Sequence, residues 1–225
     1  MNEHSGSRSR LPQAAVHATE TAGASATVAD QRLVRGTRTR RKIARHGVDI
    51  ASLEGLNGLS IGRLATDLGL SKSGIQTLFK TKENLQLAVA ESAREEFTEA
   101  VVRPAQTAQP GITRLRALTE HWITYVETPL FAGGCFWAAS LPDFDSHPGK
   151  VRDALLLHRH TWLTLLATEL RCAVATDEIA QLDVDLTVFQ LDAVLNAANT
   201  ALRLGESDAV SKVRRVVDGF SAPPR

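Results

Sequence analysis

The sequence is poor in the features that mark secreted, metal-bound and membrane-spanning proteins. Its 225 residues include only two cysteines, Cys135 and Cys172, which lie far apart in the chain. A disulfide framework or a zinc site needs more clustered cysteines and histidines, so neither is indicated, although a single bridge between the two thiols stays open. No apolar run approaches the roughly 18 residues of a membrane span, and the N-terminus lacks the continuous apolar segment of a signal peptide. These absences predict a cytoplasmic protein without membrane contact.

Basic and acidic residues are nearly equal in number, but they are unevenly distributed along the chain. With 26 basic and 25 acidic residues the formal net charge is +1, which argues against a general polyanion binder. Between residues 31 and 82, however, eleven basic side chains stand against three acidic ones, which gives this segment +8, whereas residues 83–225 carry −6. A basic segment joined to an acidic remainder predicts that one part of the protein meets a polyanion and the other does not.

Sequence patterns predict an all-α fold after a disordered N-terminal tail. Residues 1–35 are rich in Ala, Ser, Thr and Gly and are expected to form the tail. Beyond it, apolar residues at helical spacing predict helices near 38–53, 61–68, 72–79, 81–103, 112–127, 132–141, 150–175, 183–204 and 206–219. Ser60, Ser71 and Thr81 stand at N-cap positions of three of them. The stretch from Pro104 to Gly111 holds two prolines and a glycine and marks the expected domain boundary.

Two short predicted helices are joined by Leu68-Gly69-Leu70-Ser71 in a helix-turn-helix pattern. The glycine lets the helices cross closely, and the serine caps a second helix whose first turn, Lys72-Ser73-Gly74, is small enough to enter a major groove. Gln76 and Thr77 follow, and Gln can pair with adenine while the Thr methyl group packs on thymine. A plain helical hairpin also fits the spacing. The basic residues on both sides favour the DNA-binding alternative, because they can contact phosphates.

Residues 55–74 closely resemble the DNA-binding domain of TetR-family transcriptional regulators, with the sequence GLNGLSIGRLATDLGLSKSG. The likeness continues through Leu78-Phe79 and Lys82-Glu83-Asn84-Leu85. The resemblance implies an all-helical homodimer, with a helix-turn-helix DNA-binding domain of three helices over 36–97 and a linking fourth helix that reaches about residue 103. A larger C-terminal ligand-binding and dimerisation domain is then expected over 104–225. A weaker likeness to the C-terminal domain of one TetR subgroup lies in GGCF at 133–136, DFD at 143–145 and PGKVRD at 148–153.

The resemblance and the basic segment together predict a set of DNA contacts. These are Arg40, Arg41, Ser60, Lys72, Ser73, Gly74, Gln76, Thr77 and Lys82. Arg40 and Arg41 are expected on phosphates at the start of the first helix, and Lys82 is expected on a phosphate at the start of the linking helix. Many family members carry an aromatic residue where Gln76 stands and a histidine where Leu78 stands, so this chain departs from the family's usual backbone contacts.

Most aromatic side chains lie beyond residue 104, where a ligand pocket is expected. Apolar clefts between bundle helices are the usual sites for small ligands, although each tryptophan also fits an ordinary core. The predicted pocket residues are Trp122, Tyr125, Phe136, Trp137, His158 and Trp162, and the predicted ligand is a small hydrophobic effector. His158 and His160 stand on different sides of a helix, so no metal site is predicted. Cys135 is either a reactive thiol or a small buried residue.

Two apolar stripes on the helices near 150–175 and 183–204 predict a dimer interface. The later stripe repeats every three or four residues from Val184 to Leu202, as a heptad seam does. The residues expected between two subunits are Leu163, Leu166, Leu170, Val188, Leu191, Leu195, Ala198 and Leu202. A four-helix bundle across a two-fold axis would bury both stripes and present paired DNA-binding domains. The alternative is one thick core within a single chain.

The sequence therefore predicts a transcriptional regulator, most simply a repressor, that binds a palindromic double-stranded DNA operator as a homodimer. A small hydrophobic effector is expected to release it. No catalytic residue, metal or cofactor is predicted, because no nucleophile–base arrangement, P-loop or GxGxxG motif stands out. Two alternatives stay open. One is an all-helical small-molecule-binding protein or enzyme with a vestigial DNA-binding head, and the other is a nonspecific basic DNA binder.

Overall fold

The computed structural model describes Met1 and residues 14–221 of the chain, with the backbone alone for residues 14–30 and Arg32. All regular secondary structure in the described residues is helical, which confirms the predicted all-α class. The helices are α1 (Ala14–Glu54), α2 (Ile61–Leu68), α3 (Lys72–Phe79), α4 (Lys82–Phe97), α5 (Arg103–Ala105), α6 (Ile112–Glu127), α7 (Phe136–Ser140), α8 (Lys150–Ala175), α9 (Val184–Arg203) and α10 (Ala209–Phe220). None of these helices is both long and apolar enough to cross a membrane.

The chain divides into two compact units, residues 1–40 and 41–225. Helix α1 begins at Ala14, well before the start expected near residue 38. Residues 14–35 of the predicted disordered tail are thus helical in the structure, and residues 2–13 lie outside the described residues. The physical reason for the difference is that alanine is the strongest helix former and no proline interrupts residues 14–54, so the helix extends from a well-packed segment toward the N-terminus.

Hydroxyl side chains cap three successive helices at the positions that the sequence indicated. The hydroxyl groups of Ser60, Ser71 and Thr81 each accept a hydrogen bond at 3.1 Å from the backbone amide three residues later. Gly69 ends α2 in the left-handed conformation, with φ 63°. These local signals fix where α2, α3 and α4 begin, because each cap satisfies an amide that has no partner inside its own helix.

Helix α4 continues without a break into a longer helical segment. A π-helical turn occupies Thr98–Val102, and α5 follows it directly. Pro104 lies inside this segment rather than ending it, and it lies just after the π-helical turn. The linking helix, which we define as residues 82–105, packs against α3 and α8. Ion pairs of Lys150 with Glu83 and of His158 with Glu91 show that α8 runs alongside it from its first turn.

The helices of residues 112–221 form a body around an apolar core. Helix α8 packs against α4, α6 and α9, and α10 packs against α9. The side chains of Leu115, Leu155, Leu166, Leu191 and Val213 are fully buried. Arg171 on α8 pairs with Asp185 on α9 at 3.0 Å, and Arg159 pairs with Asp192, which shows that α8 and α9 run antiparallel.

The loop between α6 and α7 ties the body to the C-terminal part of α1. The backbone amide of Gly133 donates a hydrogen bond to the Ser52 hydroxyl group at 2.8 Å. The amide of Ala132 donates to the Asp49 carboxylate at 3.2 Å. A Cβ atom at Gly133 would overlap the carbonyl group of Ser52, so the loop can approach α1 this closely only with glycine at that position.

We expect Gly133→Ala to lower the free energy of unfolding by about 2 kcal/mol, because the added methyl group must push the loop away from α1. Urea denaturation of the purified protein measures this change. Gly219→Ala is the matched control, since Gly219 lies in α10 with nothing near its Cβ position. The control is expected to be neutral or slightly stabilising. Equal stability of the two variants would contradict the close approach of the loop to α1.

Candidate nucleic-acid interface and ligand cavity

Helix α3 exposes one side and buries the other. Its buried side chains are those of Ile75 and Phe79, which pack into the core. Its exposed residues include all five predicted DNA contacts on this helix, namely Lys72, Ser73, Gly74, Gln76 and Thr77. A recognition helix needs this arrangement, because its inner side must be anchored while its first turns enter the major groove.

The two serine caps leave hydroxyl hydrogens available at the same surface. The Ser60 hydroxyl group accepts from the Arg63 amide, and the Ser71 hydroxyl group accepts from the Gly74 amide. A serine hydroxyl group has one donor and two acceptor positions, so a capping serine can still donate to a phosphate. Ser60 is exposed and keeps this capacity.

Basic residues stand on both sides of α3 in the sequence. Lys82 is exposed at the start of the linking helix, and its Nζ donates to the carbonyl oxygen of Asn57 at 2.9 Å. Arg41 is exposed on α1, whereas Arg40 is partly buried and belongs to the first compact unit. Lys82 therefore holds its charge close to α3 through a backbone contact rather than through a carboxylate.

A cavity of about 240 Å³ lies among α4, α6, α7, α8 and α9. Four of the predicted pocket residues line it, and these are Trp122, Trp137, His158 and Trp162. All three tryptophans of the chain thus lie on this cavity. Residues of the linking helix also line it, namely Arg94, Phe97, Thr98 and Val102.

Phe97 is the aromatic residue at which the cavity walls meet. Its ring packs edge to face against Trp137 of α7, with 5.2 Å between ring centroids, and against Trp162 of α8 at 5.3 Å. On its other side it packs against Tyr125 of α6 at 5.4 Å. Such perpendicular contacts are the favoured geometry of aromatic pairs. The linking helix is therefore joined to three helices of the body through one ring.

Tyr125 and Phe136 do not line the cavity, which corrects their assignment as pocket residues. Both are buried in the core, and the Phe136 amide donates to the Tyr125 hydroxyl group at 3.2 Å. Burial also raises the pKa of the Tyr125 hydroxyl group well above its ordinary value. These two residues support the cavity wall, because Phe136 packs edge to face on Trp137.

The charged groups around the cavity are paired with one another. Arg159 donates to the Asp192 carboxylate, and Nε of Arg94 donates to Oε2 of Glu91 at 2.9 Å. The hydrogen bond from Arg94 lowers the pKa of Glu91, so this carboxyl group is ionised at neutral pH. Each guanidinium group is matched by a carboxylate, and the surroundings of the cavity therefore carry little net charge.

His158 is a titratable group that lines the cavity. Its side chain is 9% exposed, and its Nε2 lies 3.7 Å from Oε2 of Glu91. Burial lowers the pKa of His158 below its ordinary value, even though the Glu91 charge acts in the opposite direction. The imidazole ring is therefore neutral at neutral pH.

Comparison with solved structures identifies the fold. A TetR transcriptional regulator from Chloroflexus aurantiacus superimposes with a TM-score of 0.73 at 21% identity, over 83% of this chain and 94% of that chain. A TetR-family regulator from Agrobacterium tumefaciens gives a TM-score of 0.73 at 15% identity, over 82% and 99% of the two chains. AibR, solved with isovaleryl coenzyme A and operator DNA, gives 0.66 at 17% identity, over 82% and 98%.

The sequence of the body provides an independent comparison. A family model described as the tetracyclin repressor-like C-terminal domain matches residues 111–217, which span α6 to α10. Residues 111–217 thus match the TetR-type C-terminal domain, and the chain has the fold of TetR-family regulators. Among curated proteins, none matches the sequence significantly.

The apolar seam that the sequence assigned to a TetR-type dimer lies mostly inside the protomer. Leu166, Leu170 and Leu191 are fully buried, and Val188, Leu195 and Ala198 are buried with them. Leu163 and Leu202 are partly buried and pack against the same core. The assignment is corrected for the six buried residues, because a side chain buried in its own core cannot also contact a second subunit. For Leu163 and Leu202 it stays a prediction.

The described residues hold no candidate metal centre, and the cysteine beside the cavity is not activated. No group of three His, Cys, Asp or Glu side chains in residues 14–221 is placed to hold a metal ion. Cys135 borders the cavity, but its burial raises the pKa of the thiol. A reactive cysteine needs a lowered pKa, so the geometry favours the small buried residue over the reactive thiol.

Sequence reasoning missed the contribution of the linking helix to the cavity. Phe97 belongs to an apolar stripe of that helix, but the spacing of a stripe does not distinguish a solid core from the wall of a cavity. Thr98 and Val102 lie in the π-helical turn, for which the sequence carries no local signal. Arg159 and Asp192 are distant in sequence, and only the packing of α8 on α9 brings them together.

We expect His158 to make the stability depend on pH. Its folded-state pKa lies below the value of about 6.5 in the unfolded chain, so the unfolded chain binds the proton first as the pH falls. The free energy of unfolding therefore decreases from pH 7 to pH 5, and His158→Gln is expected to make this decrease shallower. Urea denaturation at both pH values measures it. His160→Gln, at an exposed position of the same helix, is the control. Equal slopes for the two variants would contradict this prediction.

Proposed function

We propose that this protein is a TetR-family repressor that binds a palindromic operator as a homodimer and leaves it when a small hydrophobic effector occupies the cavity. The observation that carries the proposal is the course of the linking helix. It begins with Lys82 next to α3, and its other end lines the cavity through Phe97, Thr98 and Val102. One helix thereby contacts both the candidate DNA-binding surface and the candidate effector site. The protein is accordingly proposed to regulate transcription in the cytoplasm rather than to act as an enzyme.

The exposed side of α3 supports its role as the recognition helix. Gln76 and Thr77 are proposed to read base edges, with Ser73 and Gly74 allowing the helix to approach the groove. The phosphate contacts proposed around it are Arg40, Arg41, Ser60, Lys72 and Lys82. In a dimer the two recognition helices would enter successive major grooves about 34 Å apart, which matches a palindromic site.

The π-helical turn at Thr98–Val102 is the proposed point at which the effector acts. Such turns frequently occur at functional sites, because their hydrogen-bonding register is less stable than that of an α-helix. Thr98 and Val102 line the cavity, so a bound molecule would contact this turn directly. A change in the turn would shift the part of the linking helix that carries Lys82, and the spacing of the two recognition helices would no longer fit one turn of DNA.

The outer side of the α8–α9 pair is the proposed dimer interface, in place of the buried seam. Leu157 on α8 is 64% exposed, and Leu186 and Phe189 on α9 are 52% and 69% exposed. Small side chains continue the same side of α9, where Ala197 and Ala201 border a groove shared with α10. Large exposed apolar groups together with small ones favour the close packing of a second helical pair.

The structural comparison lends this proposal one further support. AibR, which has the same fold, was solved with both a small molecule and operator DNA. We infer a comparable pairing of a DNA site and a ligand site in this chain. If the cavity binds a ligand without any change in DNA affinity, the protein would instead be a small-molecule carrier or an enzyme with a vestigial head.

We expect substitutions of Thr77 and Lys82 to affect DNA binding in different ways. Thr77→Ala is expected to relax the preference at one base pair of each half-site by about 1–3 kcal/mol, because it removes a base contact. Lys82→Ala is expected to weaken binding to all sequences alike and to reduce the salt dependence, because it removes a phosphate contact. Selection from a random DNA pool followed by gel-shift titrations at several salt concentrations measures both effects. The reverse pattern, or uniform binding by the unsubstituted protein, would contradict the proposal.

We expect Phe189→Lys to weaken the dimer at least tenfold, because a charge would be placed at the centre of the proposed apolar interface. Sedimentation analysis across a range of concentrations measures the dissociation constant. Leu53→Lys is the matched control, since Leu53 is also exposed but belongs to α1 and not to the α8–α9 pair. If Phe189→Lys dimerises as tightly as Leu53→Lys, the interface does not lie on this side.

A further inference from the structure

The chemistry of the cavity restricts its ligand more closely than hydrophobicity alone. We propose that the cavity binds an uncharged planar aromatic compound of about ten non-hydrogen atoms that carries one hydroxyl group. This inference rests on the proposed function, which assigns the effector to this cavity. Size, wall composition, charge and unpaired polar atoms each contribute one part of it.

The volume limits the ligand to a small molecule. An apolar cavity of about 150 Å³ holds one benzene ring, and drug-sized ligands occupy about 300 Å³ or more. The cavity here has about 240 Å³, which lies between these values. Two fused six-membered rings fill such a space.

The walls favour a flat aromatic body. Phe97, Trp122, Trp137 and Trp162 line the cavity, and Leu141, Leu165 and Leu195 complete its apolar lining. Aromatic rings attract one another most strongly when they are offset or perpendicular. The rings of Trp137 and Trp162 already pack edge to face on Phe97, so a further ring can continue the same pattern.

The charges argue against an ionic ligand. Arg159 and Arg94 are engaged by Asp192 and Glu91, so neither guanidinium group is left to match a carboxylate. A cationic ligand would lie near the same two guanidinium groups and would find the nearby carboxylates already paired. Because burial of an unmatched charge is costly, an uncharged molecule binds best.

Two buried nitrogen atoms of the lining residues identify the polar group. Nε1 of Trp137 and Nδ1 of His158 have no hydrogen-bond partner among the described residues. The two rings pack edge to face, with 6.2 Å between centroids. Indole N–H can only donate. We assign the hydrogen of the neutral imidazole to Nε2, because this nitrogen faces the Glu91 carboxylate, and Nδ1 is then an acceptor.

A hydroxyl group is the simplest group that satisfies both atoms. It accepts a hydrogen bond from Trp137 and donates one to His158, whereas a carbonyl oxygen can only accept and an ammonium group can only donate. Because an unpaired buried polar atom is unfavourable, a ligand that pairs both nitrogens gains affinity over the corresponding hydrocarbon.

The test compares 2-naphthol, naphthalene and 2-naphthoate, which share one ring system and differ in the polar group. Calorimetry and quenching of tryptophan fluorescence measure their binding to the full-length protein at pH 7.5, and all three tryptophans lie on the cavity. We expect 2-naphthol to bind at least tenfold more tightly than either of the other two compounds. Naphthoate binding as tightly as naphthol, or naphthalene binding equally well, would overturn the proposal.

Two variants distinguish loss of the hydrogen bond to the hydroxyl group from loss of aromatic packing in the cavity wall. Trp137→Phe keeps an aromatic ring but removes the N–H donor, and we expect it to reduce the preference for 2-naphthol over naphthalene to less than threefold. Trp162→Phe is the matched control on the same cavity and is expected to keep the preference. An unchanged preference in Trp137→Phe would overturn the proposal, and naphthalene affinity reports whether each variant retains the cavity.

Failure of this inference can be distinguished from failure of the proposed regulatory function. Binding of the three compounds is measured without DNA, and operator affinity is measured separately with each compound present. If 2-naphthol binds as expected without affecting operator affinity, the ligand chemistry stands and the regulatory proposal fails. If operator release responds only to a charged compound, the regulatory proposal stands and this inference fails.

Discussion

The packing of Phe97 is the contact on which the rest of this account depends. Its ring lies at the end of α4 and meets Trp137 of α7 and Trp162 of α8 at 5.2 and 5.3 Å. The linking helix therefore cannot shift relative to the body without disturbing the cavity wall. By the same contact, a molecule that changes the wall must act on the linking helix. Packed interiors switch between discrete arrangements rather than deforming continuously. A small displacement of the Phe97 ring can therefore move the other end of the linking helix, which carries Lys82.

Charge is distributed differently in the segment 31–82 and in the body. The segment 31–82 carries +8 and includes the exposed Lys72 and Lys82, which suits a surface that meets phosphates. In the body, carboxylates such as Asp192 are matched by arginines of neighbouring helices. The cavity therefore stays nearly neutral and aromatic although charged side chains surround it. The net charge of +1 is thus the sum of +8 in residues 31–82, −6 in residues 83–225 and −1 in residues 1–30.

The parts of the structure that local chemistry determines could be predicted from the sequence, and those that depend on tertiary packing could not. Caps at Ser60, Ser71 and Thr81 located α2, α3 and α4, because each cap acts within four residues. The apolar stripe of α9 was also evident, but periodicity does not reveal which partner covers it. Leu191 faces its own core, and Phe189 is exposed instead. Periodicity also does not reveal which residues line a cavity. Tyr125 was expected in the lining but lies behind the cavity wall, whereas Thr98 was not expected there and lines it.

The affinity of 2-naphthol for the protein, measured with and without a saturating operator selected from random DNA, tests the central claim most directly. Coupling between two sites is reciprocal, so a ligand that weakens operator binding must itself bind less tightly to the DNA-bound protein. We expect the operator to weaken 2-naphthol binding by about 5- to 150-fold, and 2-naphthol to weaken operator binding by the same factor. Equal affinity with and without DNA would contradict it.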